Sequence, residues 1–177
     1  MSESNQAQTE AASENEQVAR VLRRIASMLE FKEENPFKIR SYQTAAETIG
    51  TLECPVVDIA ARGGAAELQK IPGIGKAISA QIIEIVETGQ SSYFEEITRD
   101  VPATVLDLRR VSGVGLKTAR LLYRDFGIKS LTELRSFAEG GGLTSVPGMG
   151  EKTLARVTAS LERILREPVV DSNVKGT

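Results

Sequence analysis

Apolar residues recur along this chain every three or four positions, and no stretch alternates with the period of two that a half-buried strand needs. The period predicts an all-α protein. Val18, Val21, Leu22, Ile25, Met28 and Leu29 mark one helix face, entered near Ser13, where Ser13 and Glu16 have the spacing of a capping box. Asn35 and Pro36 read as the N-cap and first residue of a second helix, with Phe37, Ala45, Ala46 and Ile49 inward and Gly50 at its end. Further helices are predicted over about 65–70, over 76–87 with Gly89 just beyond, and over 92–99 with Ser92 and Glu95 as another capping box. After Pro102 come 103–110, 116–126 stopped by Gly127, 131–139 opened by Ser130 and Glu133, and 151–166 stopped by Pro168. Residues 1–13 carry nothing apolar enough to fold around and are expected to be a disordered acidic tail, and 167–177 a polar one. Between them lie two small helical lobes, 14–100 and 101–166.

A repeat organises both lobes. Ile71-Pro72-Gly73-Ile74-Gly75-Lys76, Val111-Ser112-Gly113-Val114-Gly115-Leu116-Lys117 and Val146-Pro147-Gly148-Met149-Gly150-Glu151-Lys152 share one pattern: apolar, small or Pro, Gly, apolar, Gly, then a Lys within two places. Their first glycines are 40 and 35 residues apart, and each unit leads into an amphipathic helix. Two glycines around one apolar residue allow positive φ and a close approach of backbone to another surface, while the apolar residue plugs the turn into the core. Because a helix begins at the second Gly, its unpaired N–H groups and positive dipole end form a seat for a phosphate, and the Lys adds a charge. Such a seat reads backbone rather than bases, so the binding it supports is sequence-independent. The residues assigned to it are Gly73, Gly75, Lys76, Gly113, Gly115, Lys117, Arg120, Gly148, Gly150, Lys152 and Arg156. If each seat neutralises one or two phosphates, the log–log salt slope is roughly 0.9 times 3 to 6. Of the three, the first, in a segment (18–100) of net charge −2, best fits a structural role or contact with a terminal phosphate only. Gly73-Ile74-Gly75 does not open a dinucleotide fingerprint, since it has no preceding strand and no third Gly.

Charge sharpens this reading. The formal net charge is −2, yet residues 101–166 hold eleven basic and six acidic side chains, whereas residues 1–17 hold four Glu and no Lys or Arg. The positive field lies in the second lobe. The chain has no histidine and one cysteine, so Cys/His zinc sites and Ser-His-Asp or Cys-His catalysis are excluded, and no side-chain metal site is expected. Cys54 is expected to be a buried small hydrophobe. No apolar run approaches the eighteen or so residues of a spanning helix, and residues 1–17 lack a signal-peptide pattern, so a cytoplasmic protein without membrane contact is expected.

The three units resemble helix-hairpin-helix motifs. With Glu34-Asn35-Pro36-Phe37-Lys38-Ile39-Arg40-Ser41-Tyr42 and Glu87-Thr88-Gly89 in the same order and spacing, the run from Val18 to Arg166 resembles the N-terminal region of X-family DNA polymerases, the bacterial ones particularly. The resemblance implies a lobe like the lyase domain of DNA polymerase beta with one helix-hairpin-helix, then a tandem helix-hairpin-helix lobe gripping duplex DNA near a gap or nick. It also implies potassium or sodium at hairpin carbonyls, no other cofactor, and DNA contact at Lys38, Arg40 and Tyr42. Tyr42 fits a core position equally well.

The chain departs from the family in two ways. No Asp-x-Asp pair of a polymerase palm occurs, so nucleotidyl transfer is not expected of these residues. In lyase-active relatives a Schiff-base lysine falls six residues after the second Gly of the first hairpin, and here that residue is Gln81, with Ala77 and Gln43-Thr44 where other phosphate-holding residues are expected. The leading expectation is therefore a non-catalytic DNA-binding protein of repair or replication, with any catalysis supplied by a partner protein. A 5′-deoxyribose-phosphate lyase using Lys38, Lys70 or Lys76 is the second reading, and a protein interaction module the third.

Overall fold

The computed structural model describes the backbone of residues 3–166 and the side chains of residues 12–166. The polar tail assigned to 167–177, with its Pro168 stop, lies outside the described residues. Among the described residues there is no strand. The chain divides into two compact units between Asp100 and Val101.

In the first unit the apolar stripe of α1 (Glu3–Phe31) packs chiefly on α2 (Pro36–Gly50), burying Leu22, Ile25, Met28 and Leu29 with Tyr42, Ala45, Ala46 and Ile49. α1 begins at Glu3, which corrects the expectation of disorder over 3–13. That segment is rich in Ala, Glu and Gln, and once a helix is nucleated downstream each added residue gains a hydrogen bond for two dihedrals fixed. Ser13 therefore sits inside the helix and caps nothing, and Glu16 instead meets Arg23 in a two-pronged ion pair, both contacts 2.8 Å. Asn35 caps α2 as expected, its side-chain oxygen accepting the Phe37 N–H at 2.9 Å. Phe37 points outward and is 82% exposed, against the expectation, because the first turn of α2 lies off the stripe formed by Tyr42, Ala45, Ala46 and Ile49.

A buried Asn15 ties α1 to the loop that follows α2. Its Nδ2 donates to the carbonyls of Leu52 and Cys54 at 3.2 and 3.0 Å, and its Oδ1 accepts the Val56 N–H at 2.7 Å. With its carbonyl turned inward, Cys54 presents its side chain to solvent, which corrects the expected burial. α3 (Val56–Leu68) starts nine residues before the predicted helix. Gly63 and Gly64 break it into two pieces, Gly64 at φ 58°, and this pair hid the first piece from a periodicity reading.

α4 (Lys76–Thr88) follows the first hairpin and ends at Gly89 with φ 73°. α5 (Ser92–Ile97) is capped by Ser91 rather than Ser92: the buried Ser91 hydroxyl accepts the Phe94 N–H at 3.1 Å. Lys32 closes its far end, donating to the Ile97 carbonyl at 3.1 Å and to Asp100 at 2.8 Å.

Among its described residues the second unit has three α-helices and two 3-10 segments. Residues Ala103–Arg110 and Gly142–Ser145 wind as 3-10 helices, each leading into a hairpin, followed by α6 (Leu116–Phe126), α7 (Leu131–Glu139) and α8 (Glu151–Arg166). Leu108, Leu122, Leu134, Leu143, Val157 and Leu161 form the centre of its core. Ser130 caps α7 as expected, accepting the Glu133 N–H, and Glu133 reaches back to the Lys129 N–H.

Candidate nucleic-acid interface

The three glycine-framed turns have one geometry. Their first glycines, Gly73, Gly113 and Gly148, take φ of 84°, 96° and 79°, a region costly to any side chain. The apolar residue that follows is buried in each: Ile74, Val114 and Met149. Its N–H closes the turn on the carbonyl three residues back, at 3.1 Å to Ile71, 2.9 Å to Val111 and 3.1 Å to Val146. The second glycines behave differently. Gly75 and Gly115 are extended, with φ −88° and −82°, a conformation any residue adopts, so the expectation that both glycines exploit positive φ holds only for the first.

What the second glycine provides is space. A Cβ built on Gly75, Gly115 or Gly150 meets no atom within 4 Å. From each the next helix departs, the first main-chain donations to its carbonyl coming from Ser79, Ala119 and Leu154 at 2.9, 2.8 and 2.9 Å. The N–H groups of the intervening residues have no partner further back in the helix, and no side chain caps α4 or α6. Uncapped donors, the positive dipole end and an unobstructed glycine thus coincide.

Lys76, Lys117, Lys152 and Arg156 are exposed near these entrances, while Arg120 is partly buried one turn inside α6. Lys38 and Arg40 lie on the first two turns of α2, with the Lys38 Nζ 4.9 Å from the centre of the Tyr93 ring. Tyr42 belongs to the core. It is 5% exposed and stacks on Tyr93, ring centres 6.0 Å apart, and burial pushes its phenol up to about 12, with Tyr93 adding to the effect.

Gln81 has a structural bond. Its side-chain oxygen accepts the Ser91 hydroxyl at 2.7 Å, the same hydroxyl that caps α5. Sequence reasoning missed that Phe37 stands out in solvent beside Lys38, and nothing in the helical period marks it, since it falls at the very start of α2.

Comparison with known proteins agrees with this geometry. Residues 13–91 match a helix-hairpin-helix domain and residues 105–163 a SAM-like helix-hairpin-helix tandem. Over 151 residues, 85% of the chain, it is 26% identical to the DNA polymerase/3'-5' exonuclease PolX of Bacillus subtilis (strain 168), covering 25% of that protein. It is 33% identical over 113 residues to the DNA nucleotidylexotransferase of Ambystoma mexicanum, 63% of this chain and 21% of that one. A Holliday junction branch migration complex subunit RuvA, from Acidovorax sp. (strain JS42), is 29% identical over 92 residues, 52% of this chain and 48% of that protein. The chain therefore spans about a quarter or less of the first two of these relatives and about half of the RuvA subunit.

Proposed function

From a chain built as the N-terminal region of X-family DNA polymerases, with helix-hairpin-helix lobes, we propose a non-catalytic, sequence-independent DNA-binding protein that holds the phosphate backbone and works in DNA repair or replication. The observation that carries this reading is the repeated helix entrance of the second lobe: no side-chain cap on α6, free space over Gly115 and Gly150, and Lys117 and Lys152 beside them. Phosphate oxygens are the acceptors such donors fit, and a backbone reader needs no side chain in a groove. The exposed Phe37 ring next to Lys38 and Arg40 favours DNA interrupted by a gap or nick, where an unstacked base is available to an aromatic face.

One substitution shapes the non-catalytic part. Gln81 offers an amide already bonded to Ser91 where a lyase needs an amine, so borohydride trapping on a 5′-deoxyribose-phosphate end is expected to give no covalent adduct, and an adduct would restore the lyase reading. Chemistry at the bound DNA then falls to a partner protein. A monovalent cation, potassium or sodium, suits the turn carbonyls: those of Ile71, Val111 and Val146 each accept one turn N–H and keep a second lone pair, so each would be one ligand of an ion at its own turn.

Gly115→Asp tests the reading. The position is an extended N-cap with room for a side chain, so aspartate caps α6 and raises stability by a few tenths of a kcal/mol, while its carboxylate occupies the phosphate seat. The expected result is an unchanged or higher Tm with DNA affinity reduced about tenfold or more. Undiminished affinity in a Gly115→Asp, Gly150→Asp double variant would overturn the proposal.

A further inference from the structure

The second hairpin does not stand alone on its own helix; it leans on α8. A Cβ placed on Gly113 would lie 3.1 Å from Val157 Cγ2, 3.2 Å from Arg156 Nε and 3.4 Å from Thr153 Cγ2. One residue earlier, the Ser112 N–H donates to the hydroxyl of the buried Ser160 at 2.9 Å. Thr153, Arg156, Val157 and Ser160 follow the three-and-four spacing of a single helix face, so the middle of α8 is the bed of the second turn even though its first turn belongs to the third. The third turn has no such neighbour, since a Cβ on Gly148 meets nothing within 4 Å.

By sequence position Arg156 belongs with Gly148, Gly150 and Lys152. The geometry points elsewhere: we propose that Arg156 serves the phosphate seat of the second hairpin, so that α8 carries the cation of one seat on its first turn and that of the neighbouring seat one turn later. Its guanidinium lies against the bare face of Gly113, and the side chain is exposed. Lys152 and Arg156 are separated by a rise of about 6 Å along one helix. With Ser160 fastening the Ser112 main chain to the same helix, the two seats are fixed in register and engage a strand as a unit. Gly113 has two jobs in this account, its positive φ and the room its missing side chain leaves for Arg156.

This assignment rests on the DNA-binding reading, and the experiment separates the two. Affinity of the full chain for a fluorescently labelled blunt duplex is measured by anisotropy between about 20 and 200 mM KCl. The measurement covers Arg156→Ala alone, in a Gly115→Asp background that blocks the second seat, and in a Gly150→Asp background that blocks the third. Arg156→Ala alone is expected to weaken binding several-fold and lower the salt slope by about 0.9. The loss should nearly vanish with Gly115→Asp and persist in full with Gly150→Asp. Persistence with Gly115→Asp, or equal losses in both backgrounds, would overturn the assignment while leaving DNA binding intact. Failure of the unmodified chain to bind duplex near 20 mM salt would remove the underlying reading, and the assignment with it.

Discussion

At the scale of single residues, Tyr42 carries the clearest pH signature. Its phenol is buried against Tyr93 and its pKa is pushed up to about 12 from an ordinary value of 10.0. A folded state that holds the proton more tightly than the unfolded chain is stabilised below the unfolded pKa and loses that advantage as pH rises through the folded one. The contribution is therefore complete below about pH 10 and declines towards about pH 12, by about 1.4 kcal/mol for each pH unit. Tyr42→Phe keeps the ring stack and removes the titrating group, so its Tm should fall less steeply than the parent's across that window. Parallel curves would mean that the phenol is as readily ionised folded as unfolded. The sequence left Tyr42 balanced between core and DNA contact, because an aromatic at helical spacing satisfies either; only the position of Tyr93 decides it.

At the scale of elements, helix ends were legible where the chain commits a special residue to them. Asn35-Pro36 opens α2, Gly89 and Gly127 close α4 and α6 in the left-handed conformation, and Ser130 with Glu133 opens α7. The reading faltered where two signals compete. Ser91 and Ser92 are both plausible caps, and the choice depends on Gln81, ten residues away, whose oxygen takes the Ser91 hydroxyl proton while that hydroxyl accepts the Phe94 N–H. A bond across that interval has no periodic trace. It makes a discriminating pair of variants: Ser91→Ala is expected to cost about 1 to 2 kcal/mol, since it removes a cap and leaves the Gln81 oxygen without its donor. Ser92→Ala, at an exposed position, should stay within about 0.5 kcal/mol. Equal costs in urea melts would return the cap to Ser92. The first piece of α3 was hidden for a related reason. Its turns before Gly63 are too few to establish a period, and what holds Val56 in place is the buried Asn15 on α1.

For the whole molecule, the all-α class and the three hairpins were legible because each repeat encodes a local structure, a glycine turn feeding a helix, that needs no distant partner to specify it. What the repeat pattern could not distinguish is which turns would hold DNA in the proposed function, since the first has the same uncapped entrance and the same open second glycine as the second. Charge separates them. Residues 1–100 carry ten basic and sixteen acidic side chains, against eleven and six over 101–166, so a phosphate approaching α4 meets a negative surrounding field and one approaching α6 or α8 a positive one. Screening acts over about 10 Å at 0.1 M salt, so each entrance is governed by the charges within that distance. The consequence is unequal salt dependence among otherwise equivalent lysines. A Lys117→Ala, Lys152→Ala double variant should lower the log–log salt slope by about 1.8, at about 0.9 for each phosphate no longer neutralised. Lys76→Ala should leave the slope unchanged, because its entrance is not expected to hold a phosphate against that field. A drop on Lys76→Ala as large as on Lys117→Ala would mean that helix-entrance geometry outweighs the lobe's charge, and the first hairpin would then join the gripping surface.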